Sequence, residues 1–530
     1  MGDNVTAVEA QVSQGDGTKA ENLAVQRLGY EPELHRTFDL LGMIGFSFSI
    51  VSCWSALGGT FSVGLTSGGP PVMVFSWLII SVGALAVGIS FAEMCSAYPL
   101  AGGQYSWVAA IAPKEWARGL SWVTGWFMLI GLVAMGATNN FITANFVLGM
   151  ANLINPSYVI ERWHTSLVTY AIILLTGMVN IFTPKILDRL GKGIFLWNIC
   201  AFVVVIIVLL VMNDHKQPAS FVFTDFRNDT GMSPALGVIA GLLQTLFGMC
   251  CYEAPGHMTE EMNNASRDAP KAIILSVVMG AVTGFIFLVV VFFCTGDLAT
   301  TANSPTGVPL IQIFHDSIGS ARGACALAAI VTVIYFVAAN SLMAEGGRSI
   351  WAFARDHGLP ASKYVSKVDK KFGVPVIAIL VCMLIQAALN TIYIGTYTGF
   401  VTVTSISTEG FYISYFVPLF ARILSHAMGR PVKLDGPFNF GKFGLVCNWI
   451  GAIFLLVAIV LFNFPSEAPI TAENFNYCIA AVVLVLVLSF STWILDGRNS
   501  FTMPNLEGIE EVCSDTPVIV ENDKSHWESS

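Results

Sequence analysis

The chain has 530 residues, 55% of them hydrophobic and only 12% charged, and a net charge of −9. Soluble globular chains carry about 25% charged residues, so this composition excludes a soluble multidomain enzyme. The net charge says little about nucleic acid, but no basic stripe occurs and no nucleic-acid partner is expected.

Residues 1–38 are polar and acidic and lack the charged-then-apolar-then-small pattern of a cleavable signal peptide, so the first span is expected to serve as the targeting signal. Twelve apolar stretches follow, near 40–64, 72–96, 119–147, 164–182, 191–212, 235–256, 271–294, 322–346, 375–393, 398–423, 444–464 and 475–496. Each approaches the roughly 20 residues that a spanning helix needs. The expected organisation is an all-α membrane protein: a tail over 1–38, a twelve-helix transporter domain over 39–496 and a second acidic tail over 497–530. Neither tail has the apolar content to fold alone.

Span 1 reads LLGMIGFSFSIVSCWSALGG, dense in glycine and serine around Gly45-Phe46-Ser47-Phe48-Ser49. Glycine tolerates unusual dihedrals and serine replaces lost backbone hydrogen bonds, so this helix could unwind there; close packing through small residues is the other reading. After span 2 comes SAYPLAGGQYSW, where Pro99 and Gly102-Gly103 break the helix and Tyr98, Tyr105 and Trp107 suit a membrane interface. Asn228-Asp229-Thr230 is a glycosylation sequon on an expected outward loop.

Span 6 is the most informative. It places a carboxylate, Glu253, beside an apolar stretch, after Phe247-Gly248-Met249-Cys250 and before Pro255-Gly256. Ionisable groups inside a bilayer are expensive and usually line a substrate or ion path, and helix-weakening residues beside one mark a discontinuous transporter helix. Two such helices, first and sixth, are the pattern expected when spans 1–5 and 6–10 form an inverted repeat around a midplane site, which leaves spans 11 and 12 outside it. Glu409, in span 10, is a second membrane acid, read either as a coupling residue or as a carboxyl held by neighbouring hydrogen bonds. Asp39, Glu93 and Glu345 fall at span ends and are expected to be interfacial.

Lysine and arginine cluster on alternate loops. With a cytosolic N-terminus, the inward side carries Lys114, Arg118, Lys185, Arg189, Arg348, Arg355, Lys370 and Lys371 among others, and the outward side only Arg162, Lys216, Arg227 and Arg322. The positive-inside rule then puts both termini in the cytosol. The cysteines show no CxxC spacing, no histidine lies within a span core and no HExxH or GxSxG occurs, so no disulfide framework, metal site, cofactor or enzymatic activity is expected.

Four motifs in order, SGGP at 67–70, FAEMCSAYPLAGGQYSWVAAIAPKEWARGLSWVTGW at 91–126, EEMNNASRDAPKAI at 260–273 and RSIWAFARDHGLP at 348–360, resemble amino acid permeases of the amino acid–polyamine–organocation superfamily. The resemblance is strongest to the fungal amino acid/choline transporter branch, which includes GABA and choline permeases. It implies secondary active transport by alternating access at the plasma membrane, commonly driven by protons, with Glu253 in a coupling or gating role. Substrate contacts are then expected from Gly45, Phe46, Ser47, Phe48 and Ser49 in span 1, and from Phe247, Gly248, Cys250, Tyr252 and Tyr335. Two membrane acids without a membrane base suit a small amine, choline- or GABA-like; a broad amino acid or polyamine permease, or a nutrient sensor on the same fold, are the alternatives.

Overall fold

The computed structural model describes residues 26, 30, 33–34, 36–59, 61–183, 187–465, 467–471 and 474–503. Most of both expected tails, and Lys185, lie outside them. The chain is a bundle of long helices: α1 (Leu40–Val51), α2 (Cys53–Gly59), α4 (Gly69–Ala97) after the short α3 (Phe61–Thr66), α5 (Gln104–Ile111), α6 (Lys114–Ile154), α7 (Arg162–Phe182) and α8 (Leu187–Met212). The second half holds α9 (Pro234–Gly248), α10 (Ala254–His257), α11 (Ala265–Cys294), α12 (Pro309–Ile318), α13 (Ala321–Arg355), α14 (Val376–Gly395), α15 (Tyr397–Ala427), α16 (Lys442–Leu461) and α17 (Cys478–Thr492). Strands β1 (Ser67–Gly68) and β2 (Arg227–Asn228) form a minimal antiparallel pair.

Local chemistry sets several of these ends. Asp39 accepts a hydrogen bond from the Gly42 amide at 2.8 Å and so caps α1. Pro70 and Pro234 sit in the first turns of α4 and α9, where the missing N–H is harmless. Thr396 caps α15 through the Gly399 amide.

Ten helices among the described residues are long and apolar enough to cross a membrane. The two expected spans outside that set have physical reasons. The sixth stops at Gly248 after 15 residues, and the tenth, α15, is 31 residues long but interrupted by Ser, Thr and Glu409. Leu384, Ile79 and Phe490 stand 65–70% exposed on the outer surface, as lipid-facing side chains would. The chain is a multi-pass membrane protein.

Inside, α1 packs on α8, α4 on α11 and α16, and α6 on both α13 and α15. The contact between α1 and α8 is backbone on backbone: a Cβ on Gly45 would stand 2.2 Å from the Gly191 carbonyl oxygen. The segment after span 2 differs from its expected interfacial placement. Tyr105 and Trp107 are fully buried on α5 and Tyr98 nearly so, because Trp107 Nε1 donates to the Tyr98 carbonyl and Tyr105 donates to Asp356 from within the bundle.

Orientation has a direct check. On a background lacking the exposed Cys200, single cysteines replacing Asp214 or Thr300 should react with an impermeant maleimide in intact cells, and cysteines replacing Lys367 or Lys371 should not. External labelling at 367 or 371 would reverse the topology.

Candidate functional site

Two helix breaks face each other at the centre of the bundle. The first is Ser52, between α1 and α2, with φ −9° and ψ 60°. Its hydroxyl lies 2.9 Å from both Ser55 Oγ and Asn198 Nδ2, and Asn198 Oδ1 accepts from Trp54 Nε1 at 2.7 Å. The backbone stays paired across this kink, the Ser52 amide donating to the Phe48 carbonyl at 2.9 Å and the Ser52 carbonyl accepting from the Ala56 amide at 3.0 Å, while side chains of α2 and α8 hold its geometry. Tyr335 of α13 donates to the Ser55 carbonyl.

The second break runs from Met249 to Glu253, between α9 and α10, and contains Cys251 at a positive φ of 63°. A non-glycine residue there is strained unless its surroundings hold it. Two tyrosines of α15 do so. Tyr415 Oη accepts from the Cys251 amide at 3.0 Å and donates to Glu253 Oε2. Tyr412 Oη lies 2.9 Å from the Leu246 carbonyl and 3.2 Å from that of Met249. Between the breaks is a cavity of about 40 Å³ lined by Ser52, Ser55, Phe247, Cys250, Cys251 and Tyr335, with Met135, Asn139 and Ala338 closing its sides.

The expected site residues separate cleanly on this geometry. Phe247, Gly248, Cys250 and Tyr335 line the cavity. Gly45, Phe46, Ser47, Phe48 and Ser49 do not: they belong to the unbroken helix α1, and the break falls at Ser52 instead. Gly45 faces Gly191, Phe46 packs edge-on against Phe38, Phe48 against Phe195, and Ser49 Oγ pairs with Ser341 Oγ at 3.0 Å. The small size of Gly45 and Ser49 serves helix packing, the alternative that the sequence left open. The span 6 break begins two residues later than expected, since Phe247 and Gly248 still close α9.

Tyr252 is buried against Phe91 and Tyr415, away from the cavity lining. Glu409 is also off the lining; its carboxylate accepts from Asn463 Nδ2 at 2.7 Å and from the Cys478 thiol. Asn228 is half-buried, and its amide nitrogen donates to the Met232 carbonyl at 2.8 Å.

Of the three acids placed at span ends, Asp39 is half-exposed and paired with Lys192 at 2.7 Å, and the other two are enclosed by protein. Glu93 is fully buried and salt-bridged to Arg422 at 2.8 Å. Glu345 is fully buried and belongs with Glu253 and His257: one ligand atom from each lies within 4.8 Å of the others. Among the described residues this is the cluster whose donor set could hold a metal ion.

Beyond these residues the chain closes over itself. Arg348 Nε donates to Glu261 at 2.7 Å, and Arg355 grips Glu260 through two bonds of 3.0 Å. Arg355 also stacks on Tyr30 and Trp351, and the amides of Thr37 and Phe38 bond to the Glu261 carbonyl. Burial pushes the Asp356 carboxyl up to about 6, against the opposing pull of Arg355 and Tyr105. Sequence reasoning missed Ser52, Asn198, Tyr412 and Tyr415. The one signal available was the spacing of the two tyrosines, three apart on one face of a helix.

Comparison with known proteins agrees with this architecture. A family model described as "Amino acid permease" matches residues 38–488. A Macrophomina phaseolina protein with the provisional name amino acid/polyamine transporter is 58% identical over 440 residues, covering 83% of this chain and 97% of its own. The Saccharomyces cerevisiae choline transporter is 28% identical over 472 residues, covering 89% of this chain and 83% of its own. Among solved structures, MhsT in complex with L-phenylalanine superposes with a TM-score of 0.56 at 16% identity, over 81% of this chain and 99% of that one. At that identity the likeness speaks for the fold alone.

Proposed function

The chain belongs to the amino acid permease family, a family of transporters rather than enzymes, and we propose that it takes up small amines or amino acids by secondary active transport. The observation that carries this reading is the cavity between two facing helix breaks. Unwound backbone in a membrane is tolerated where it lines a cavity or is held by protein, and discontinuous helices are where such carriers bind substrate. A cavity of about 40 Å³ must widen to admit even a small amine, which alternating access provides. All twelve segments cross the membrane in this reading, with spans 1–5 and 6–10 as inverted repeats, both termini in the cytosol and the plasma membrane as location. An inward-directed proton gradient, acidic outside, drives uptake. Glu253 gates the sixth span by holding its break to Tyr415. Glu409 is proposed as a coupling group remote from the cavity, and Asn228 as a glycan acceptor on the outer face.

The substrate in this reading is choline- or GABA-like. Support comes from the name of the yeast relative and from the aromatic faces of Phe247 and Tyr335 on the cavity, which can hold a cation. The provisional name of the Macrophomina relative favours a second reading, a broader amino acid or polyamine permease. Competition separates the two. Excess unlabelled choline or GABA should suppress labelled choline uptake by more than about tenfold, while leucine or phenylalanine at the same concentration leaves it unchanged. Suppression by leucine and phenylalanine alone would assign the chain to the broader carriers.

A further inference from the structure

Glu253, His257 and Glu345 are at most 1% exposed. Glu253 Oε1, His257 Nε2 and both carboxylate oxygens of Glu345 have no hydrogen-bond partner. Bases nearby are already committed, Arg348 to Glu261 and Arg355 to Glu260. Two buried carboxylates facing each other without a counter-charge are strongly unfavourable.

The histidine sharpens the point. Its Nδ1 lies 3.2 Å from the Ala101 carbonyl oxygen, which only accepts, so Nδ1 carries the proton. Nε2 therefore turns a lone pair toward the two carboxylates. Three electron-pair donors converge, an arrangement that a bound cation satisfies at once.

We propose that Glu253, His257 and Glu345 form a binding site for a divalent first-row transition cation such as Zn²⁺, clamping the segment after the sixth-span break onto α13. Zinc binds imidazole nitrogen and carboxylate oxygen at about 2.0–2.2 Å, and side-chain adjustment contracts donors within 4.8 Å of one another to that shell. Two carboxylates neutralise its charge. An imidazole among only three donors suits zinc and its neighbours better than calcium or magnesium, which want six or more oxygens. The outer shell is of the kind metal sites carry: the Ala101 carbonyl fixes the histidine tautomer and the Tyr415 hydroxyl orients Glu253. Sequence spacing conceals the site, because its third ligand comes from a different span. The inference does not rest on the transport reading, since metal binding is measured on the protein at rest.

The test uses the full chain purified in detergent, stripped with EDTA and dialysed against Zn²⁺. Wild type should retain one zinc per chain by elemental analysis and gain thermal stability from added Zn²⁺. His257→Asn, whose amide nitrogen takes the place of Nδ1 and keeps a donor for the Ala101 carbonyl, and Glu345→Gln should each weaken binding at least about tenfold. A second measurement needs no variant: Co²⁺ bound to the wild type should show ligand-field bands without thiolate charge transfer. Cys250 and Cys251, with sulfurs 3.5 Å apart, lie close enough to compete. Strong thiolate-to-cobalt absorption, unchanged zinc in His257→Asn, no stoichiometric zinc in wild type, or stabilisation by Na⁺ and not by Zn²⁺ would each overturn the assignment.

Discussion

Arg348→Ala should destabilise the protein by about 3–5 kcal/mol, the usual consequence of removing one partner from a buried ion pair. Arg348 is 1% exposed, and its guanidinium meets Glu261 at 2.7 Å and the Ala344 carbonyl at 3.3 Å. Without it, Glu261 stays buried with no opposing charge while its backbone still holds Thr37 and Phe38. The loss should appear as a large fall in the thermal midpoint of the detergent-purified protein. Arg348→Lys should restore only part, because an ammonium cannot reproduce the fork that reaches both carboxylate oxygens. Glu261→Gln, which removes the charge and keeps an acceptor, should be milder than Arg348→Ala. A midpoint in Arg348→Ala within a degree of wild type would show that the closure beyond the cavity does not depend on this pair.

The second large effect is expected at Gly45. Any side chain there begins 2.2 Å from the Gly191 carbonyl oxygen and 2.7 Å from its carbon, both backbone atoms of the facing helix. Overpacking a well-filled core costs about 1–3 kcal/mol, and more where backbone has to move. Gly45→Leu must separate α1 from α8 and with it the Ser52–Asn198 bond beside the first break. Folded, monodisperse protein should fall by more than about tenfold on size-exclusion chromatography, because backbone of two packed helices has to move. Gly193→Ala is the control, since nothing lies within 4 Å of the added carbon. Equal yields of the two variants would remove the close α1–α8 contact from the account.

Gly45 also shows where sequence reading ends. The spans were legible because a bilayer demands long apolar runs, and the helix limits follow them closely, as in α7 and α8. The existence of two weakened helices was legible from glycine, serine and Glu253. Their exact break points were not: small residues serve packing as readily as unwinding, so Gly45 to Ser49 looked like the break while Ser52, one serine among several, was the break. In span 6 the unwound stretch runs through two cysteines, which are not helix breakers; Tyr412 and Tyr415, far along the chain, hold it open. Glu345 looked interfacial because its position at a span end says nothing of what folds over it. Pairings across distant spans carry no local signature, and the site is made of them.

The central claim is that the cavity between the two breaks is a transport site. The most direct measurement is accumulation of labelled choline and GABA by proteoliposomes holding the purified chain, with and without an acidic exterior, for wild type and Ala338→Trp. Ala338 lines the cavity, and an indole there fills it. The account predicts saturable accumulation above the external concentration for wild type, abolished by a protonophore and by Ala338→Trp. Saturable binding without accumulation, or wild-type uptake by Ala338→Trp, would contradict it.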